Sequence, residues 1–422
     1  MDYDASPAMT GIRTINLGCG ATLVVEPIPN VASCAMSWLV PLGSATDSAD
    51  GDGLATMLSE FIFRGAGGLN SREHSDALDR LGVQRSSQVL TYHLRLGTVL
   101  LGSRLAEALP RLSAMLSEPM LPDEALHAVR RLCLQALDSL EDEPQRSVML
   151  QLRERHLASP FNRHGYGQRE ILERCSIQDL RDAWTERCTP AGAIIAAAGA
   201  VDCDAMAGQL NELMSGWSGA HREPVETSPP VRGQQHHEQD TAQVHIGLAY
   251  DAPHEADPDS MLERVAVAVL SGGASGRLFT ELRQKRSLCY SVGGSFYAGK
   301  DRGLVAVYVG TTPQRARESL EVCKDEIQRL QEGVSDDEFK RAVLGLKSHL
   351  IMQGESTAAR AAAIGQDQFR LGRVRSLGDL ARQIDAISVD QLNTYLGGRD
   401  FSEFTIASIG PVEVAAQAAG PS

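Results

Sequence analysis

"AMSWLVPLGSATDSADGDGLATMLSEFIFRGAGG" (residues 35–68) has an echo at residues 244–276, "VHIGLAYDAPHEADPDSMLERVAVAVLSGGASG". Each opens on a β-rich run, passes through a loop of Asp, Ala, Ser and Pro, and closes on an apolar helical segment ending in glycines. Two further echoes keep the same order. "LPDEALHAVRRLCLQAL" from Leu121 matches "VSDDEFKRAVLGLKSHL" from Val334, and "AGAIIAAAGAVD" from Ala191 matches "SEFTIASIGPVE" from Ser402. All three offsets are about 210 residues, the mark of an internal duplication. The paired helical segments start with acidic turns, which suit the positive end of a helix dipole.

The duplication divides the chain into a first half at 1–218, a polar, Pro-bearing linker at 219–240 ("GAHREPVETSPPVRGQQHHEQD") and a second half at 241–422. Within each half, strands come early and late while helices fill the middle. That order predicts an α+β fold of two homologous halves, each a mainly antiparallel sheet covered by helices on one side.

The chain has 422 residues, 43% hydrophobic and 22% charged, enough for two domains with cores of their own. Its net charge of −14 argues against nucleic acid and against an anionic membrane surface as partners. No apolar run approaches the roughly 20 residues of a membrane span. The N-terminal "MDYDASPAMTG" lacks the basic and apolar regions of a signal peptide. Eight cysteines are scattered without a C-x-x-C pair and read as reduced core residues. The expected compartment is the cytoplasm, or the periplasm if a signal peptide has been removed.

"GLATMLSEFIFRG" (residues 53–65) carries Leu54, Met57, Leu58, Phe61 and Ile62 at steps of three and four, a mostly buried helix. Thr56 and Glu60 stand one turn apart on it, with Ser59 beside Glu60. The segment resembles the active-site helix of the pitrilysin/insulinase family of metallopeptidases, whose signature is H-x-x-E-H. In that signature two His ligands hold zinc, the Glu is the general base, and a distant Glu completes the site. The resemblance puts the first His at Thr56, the base at Ser59 and the second His at Glu60. The family's remote ligand lies in R-x(5)-E-x(7)-P; "RRLCLQALDSLEDEP" supplies Arg130 and Pro144 at that spacing, with Ala136 in place of the carboxylate. A hydroxyl, a methyl and one carboxylate are a poor donor set for zinc, so no cofactor is expected in this chain.

"SGGASGRLFTELRQKRSLCYSVGGSFY" (residues 271–297) is similar to the motif of the family's C-terminal half over about 20 residues. The resemblance implies that Arg283 and Tyr290, seven positions apart, reach a substrate near its scissile bond. Guanidinium and phenol both donate hydrogen bonds to a carbonyl oxygen that gains negative charge under water attack. Taken singly, Arg283 also fits a solvated helix face, and Tyr290 a core tyrosine with a satisfied hydroxyl. Gly272, Gly273 and Gly276 fit a tight turn; without a following G-K-[ST] they make no phosphate loop. His236 and His237 sit in the linker without further ligands, and Arg72, Glu73 and His74 read as solvated residues of a helix start.

The family includes pairs of half-enzymes in which one subunit carries zinc and the other carries Arg and Tyr. The resemblance implies that this chain is the second kind. It would form a clam-like chamber with a homologous zinc-bearing subunit that has an intact H-x-x-E-H, and would act on a peptide substrate. Two alternatives are a non-proteolytic scaffold, like the core subunits of respiratory cytochrome bc complexes, and a peptide-binding homodimer using a sheet edge.

Overall fold

The computed structural model describes residues 11–414. The N-terminal ten residues, inspected above for a signal sequence, lie outside them.

The first half runs β1 (Arg13–Asn16), β2 (Thr22–Pro27), β3 (Ser33–Val40), α1 (Leu54–Phe61), β4 (Gly65–Ala66), β5 (Leu69–Asn70), α2 (Ser71–Arg80), β6 (Gln84–Val89) and β7 (Leu94–Leu101). It continues with α3 (Leu105–Ser117), α4 (Leu126–Asp138), α5 (Pro144–His156), α6 (Arg169–Arg174), α7 (Ile177–Arg187), β8 (Ile194–Gly199) and α8 (Cys203–Leu213). The second half runs β9 (Gln234–Glu238), β10 (Val244–Ala252), α9 (Ser260–Ser271), a π-helical turn (Phe279–Lys285), β11 (Cys289–Ala298) and β12 (Gly303–Thr311). It closes with α10 (Ala316–Gln328), α11 (Asp336–Gly354), α12 (Thr357–Leu371), α13 (Leu377–Asp385), α14 (Val389–Gly397) and β13 (Thr405–Gly410).

The two large sheets have the same topology. The first is ordered β1-β2-β8-β3-β7-β6 and the second β11-β12-β10-β13-β9. Dropping β1 and reversing one list superimposes β2 on β9, β8 on β13, β3 on β10, β7 on β12 and β6 on β11. Even the exceptional parallel pairs coincide, β2 with β8 and β9 with β13; every other pair in both sheets is antiparallel. The repeated segments read from the sequence fall on β3 and β10, α4 and α11, and β8 and β13. The fold is α+β, with a mainly antiparallel sheet in each of two units.

The units are not contiguous halves. Among the described residues, one comprises 11–139, Ser159–Ser228 and Gln353–Ser376; the other comprises Leu140–Ala158, Pro229–Met352 and 377–414. Helix α5 therefore belongs to the second unit and α12 to the first, which departs from the division at 1–218, 219–240 and 241–422. The linker changes too. Residues 234–238 form β9, paired in parallel with β13. As an outermost strand β9 is exposed along most of its length, so it shows no apolar alternation.

The central strands of each sheet are buried on both faces. In the first unit Met36, Trp38, Leu94 and Leu96 meet the main helical layer through Leu58, Phe61, Leu109 and Leu112. Its opposite face, with Val24, Leu39, Ile194 and Ala196, is covered by Ile364 of α12. A buried ion pair, Arg360 Nε to Glu26 Oε2 at 2.8 Å, ties α12 to β2. In the second unit the main core gathers Val265, Leu282, Val305, Leu320 and Phe401, and α5 covers the opposite face with Val148 and Leu152. There His156 bonds Thr405 Oγ1 through Nδ1 at 2.9 Å and approaches Asp251 at 3.3 Å. His156 and Arg232 hold the Asp251 carboxyl well below the usual carboxylate range.

All eight cysteines are free, and all but Cys19 are buried. No helix among the described residues is long and apolar enough to cross a membrane.

Candidate functional site

Helix α1 is held at its N-terminus by Asp47. The Asp47 carboxylate accepts the amides of Gly53 at 3.0 Å and Ala55 at 3.2 Å and pairs with Arg187. Burial pushes this carboxyl up, while Arg187 and the two amides pull it back. Gly53 has φ 127°, and a Cβ on Gly167 would lie 2.6 Å from its Cα. Both positions therefore need glycine, and their contact brings the loop 163–167 onto the start of α1.

That loop also meets the side chain of Thr56. Thr56 Oγ1 donates to the Gly165 carbonyl at 2.8 Å. Ser59 Oγ donates to the Thr56 carbonyl at 2.7 Å, and the Ser59 carbonyl accepts from Ser87 Oγ on β6 at 2.9 Å. Glu60 is half-buried and lies near Cys133 on α4. Burial first, then the Glu60 charge, pushes the Cys133 thiol up to about 12. Ala136 is exposed on α4 and offers no donor. The two hydroxyls are turned to backbone carbonyls, and Glu60 is one carboxylate where tetrahedral zinc needs three or four ligands. The residues present do not fit the ion. Among the described residues no group of three or more His, Cys, Asp or Glu is placed to hold a metal.

The retained framework residues have structural work. Arg130 donates to the carbonyls of Leu172 at 3.0 Å and Cys175 at 2.6 Å, joining α4 to α6 and the turn after it. Pro144 opens α5 at its first turn, where no amide is missed. The sequence reading passed over the loop 163–167, which combines His164 and Tyr166 with two glycines at positive φ. The His164 and Tyr166 rings lie 5.7 Å apart. Glycine density was its one sequence signal.

Arg283 and Tyr290 are built differently. Arg283 sits in the π-helical turn, exposed, with its guanidinium over the Phe279 ring at 5.1 Å. Nearby Lys285 and Arg286 are both paired with Glu281. Arg283 has no hydrogen-bond or ion-pair partner among the described residues. The turn into β11 is pinned by Leu288, whose amide donates to the Leu282 carbonyl at 2.7 Å and whose carbonyl accepts from Thr311 Oγ1 at 2.5 Å.

Tyr290 follows at once. In the pairing of β11 with β12, Cys289 faces Thr311 and Ser291 faces Gly310, so Tyr290 is the extra residue of a bulge. A bulge re-aims a side chain. Tyr290 is 59% exposed and its hydroxyl has no partner among the described residues, unlike a satisfied core tyrosine. Burial raises the Cys289 thiol and the Arg283 charge lowers it, which places the guanidinium near the residue preceding Tyr290. The structure thus brings Arg283 and Tyr290 into one neighbourhood of the second unit, whereas Thr56, Ser59, Glu60 and Ala136 all belong to the first.

The remaining motif residues resolve simply. Gly272 caps α9, its amide donating to the Ala268 carbonyl at 2.7 Å, and Gly273 turns the chain at φ 111°. His236 bonds Ser408 Oγ at 2.9 Å within the sheet. His74 is a correction to the solvated reading: it is 1% exposed and bonds the Arg111 carbonyl through Nε2 at 3.2 Å. It faces inward because Asn70 and Glu73, which form a capping box, take the exposed side of the first turn.

Comparison with known proteins matches the same span. The family profile described as "Insulinase (Peptidase family M16)" matches residues 22–168, and "Peptidase M16 inactive domain" matches residues 174–346. An uncharacterized zinc protease of Mycobacterium tuberculosis is 25% identical over 420 residues, covering 97% of this chain and 95% of that protein. An uncharacterized zinc protease of Bacillus subtilis is 23% identical over 410 residues, covering 93% and 96%. Among solved structures, a peptidase M16 inactive domain from Pseudomonas fluorescens superimposes with a TM-score of 0.87 at 18% identity, covering 96% of this chain and 100% of that one. A chain of Complex III from Candida albicans superimposes with a TM-score of 0.82 at 16% identity, covering 96% and 97%. These structural likenesses concern the fold.

Proposed function

Because the chain belongs to the insulinase family of peptidases, M16, we propose that it is the zinc-less subunit of a heterodimeric peptidase of that family. It lends Arg283 and Tyr290 to the zinc site of a homologous subunit with an intact H-x-x-E-H. The observation that carries this reading is the exposed state of both side chains, one on a pinned turn and the other on a bulge, neither with a hydrogen-bond or ion-pair partner among the described residues. Zinc, held by the partner, supplies the activated water. This chain's two residues bind and orient the peptide carbonyl and stabilise the charge that develops on its oxygen. The eight free thiols support a cytoplasmic site of action.

The test is reconstitution. Mixed with its zinc-bearing partner, the chain is expected to yield peptidase activity that neither shows alone. Arg283→Ala or Tyr290→Phe in the mixture lowers kcat/KM, and an unchanged rate rejects the assisting role. Elemental analysis of the isolated chain is expected to find no stoichiometric zinc; one tightly held ion at α1 rejects the division of labour.

A second reading is a non-proteolytic scaffold or peptide-binding homodimer, motivated by the fold shared with a Complex III chain. It gives Arg283 and Tyr290 no task. Native mass spectrometry of the protein from its own cells separates the readings by the chain that travels with it.

A further inference from the structure

The turn between Arg283 and Tyr290 contains a strained joint. Ser287 lies four residues after the first and three before the second, with φ 51°. That is the left-handed region, where the Cβ of an L-residue crowds its own backbone and which glycine enters freely. A serine stays there only when its surroundings over-determine the conformation.

The surroundings do so at two consecutive peptide units. The unit joining Ser287 to Leu288 is gripped at both ends. Its carbonyl accepts from Arg315 Nη1, and its amide donates to the Leu282 carbonyl at 2.7 Å. The next carbonyl, that of Leu288, accepts from Thr311 Oγ1 at 2.5 Å and from Ser319 Oγ at 3.3 Å, and those two hydroxyls lie 3.1 Å apart. Thr311, Arg315 and Ser319 follow one another at steps of four, from the end of β12 into α10, so one corner of the fold supplies all three side chains.

The three differ in their setting. Thr311 and Ser319 are fully buried, whereas Arg315 is exposed and has no carboxylate partner among the described residues. An exposed side chain of this kind adds little to global stability. Its one bond nevertheless falls on the peptide unit that the left-handed Ser287 strains. Relaxation of Ser287 toward extended backbone would swing its carbonyl off the guanidinium. It would also shift Arg283 relative to Tyr290, because the joint lies between them. We propose that Arg315 is a positioning residue: by holding the Ser287 carbonyl it keeps the left-handed joint, and through the joint it sets Tyr290 against Arg283. This rests on the assisting role proposed above for that pair and adds the residue on which their relative placement depends.

The clamp is tested on the full chain by hydrogen exchange, and its effect on the pair is tested in the reconstituted mixture. Arg315→Ala is expected to speed exchange of the Leu288 amide at least about tenfold, while the amides of β10 and β13 keep their protection. Adding Ser287→Gly should return most of the lost protection, because glycine holds the left-handed joint unaided. An unchanged Leu288 amide in Arg315→Ala, or a double variant that exchanges as fast as the single one, overturns the proposal. In the mixture Arg315→Ala lowers kcat by about 10- to 10²-fold with KM within about threefold of the parent, and Ser287→Gly restores the rate. On a Tyr290→Phe background the same substitution costs nothing further, and a full second loss there overturns the positioning role. A merely structural residue would show neither the rescue nor the dependence on Tyr290. A mixture without peptidase activity rejects the heterodimer, while the exchange result alone decides the clamp, so the two ideas fail separately.

Discussion

Strands β6 and β11 occupy the same place in two sheets of equal order, yet their surroundings are opposite in kind. Beside β6, helix α1 turns the hydroxyls of Thr56 and Ser59 onto backbone carbonyls, and β6 itself bonds α1 through Ser87. At the start of β11, Arg283 and Tyr290 are exposed and have no hydrogen-bond or ion-pair partner among the described residues, on a turn and a bulge that the interior holds in place. The difference separates two uses of polar chemistry. A polar group satisfied within its own chain contributes to folding; one left open on a rigid element is available to another molecule.

The largest effect should come from breaking the first region. Asp47→Ala removes the partner of Arg187, whose side chain is 12% exposed, together with the acceptor for two α1 amides. Stranding a buried charge in this way costs about 3–5 kcal/mol, read as a lower midpoint in chemical denaturation. Next comes the second region. Arg283→Ala should lower kcat/KM of the reconstituted mixture by about 10²–10³-fold, while the denaturation midpoint of the chain stays within about 0.5 kcal/mol of the parent. If Arg283→Ala were instead to unfold the chain, the contrast between the regions would fail.

The duplication was legible because strand, loop and helix recur in order, and the sheets carry it down to their parallel pairs. The Arg130 and Pro144 spacing was legible as a motif, and each residue has a local bonding reason. The exchange of α5 and α12 was not. Each follows its predecessor in chain order, and an apolar stripe such as Val148 and Leu152 records that a helix packs without saying against which sheet. Strand β9 escaped because an exposed edge strand lacks the alternation that identifies strands. The open state of Tyr290 escaped because a bulge breaks the period from which its burial would be inferred.

A smaller effect concerns Arg277, in the same motif as Arg283 but used inwardly. Arg277 Nε donates to Glu338 Oε1 at 2.7 Å, and Arg277 Nη2 donates to the Gly333 carbonyl at 2.9 Å. Arg277 first, with help from the Ser335 amide and hydroxyl, depresses the Glu338 carboxyl to about 2 from its ordinary 4.5. A depressed carboxyl stabilises the fold above its unfolded pKa and loses that contribution as pH falls through the folded value. Stability should therefore decline between pH 4.5 and 2, and Glu338→Gln should flatten that part of the slope in acid titrations followed by circular dichroism. An unaltered slope would mean that Arg277 is as free as Arg283, and the motif would have no inward half.

The smallest effect is the most selective. Thr56→Val keeps the shape of the side chain and deletes the bond to the Gly165 carbonyl. A lost neutral hydrogen bond is worth about 1 kcal/mol, visible as a small drop in denaturation midpoint. The rate of the reconstituted mixture should not move, because Thr56 acts on its own loop alone. A drop in that rate, with the fold intact, would show the loop 163–167 to be part of the working surface, and the first region would then share in the open chemistry of the second.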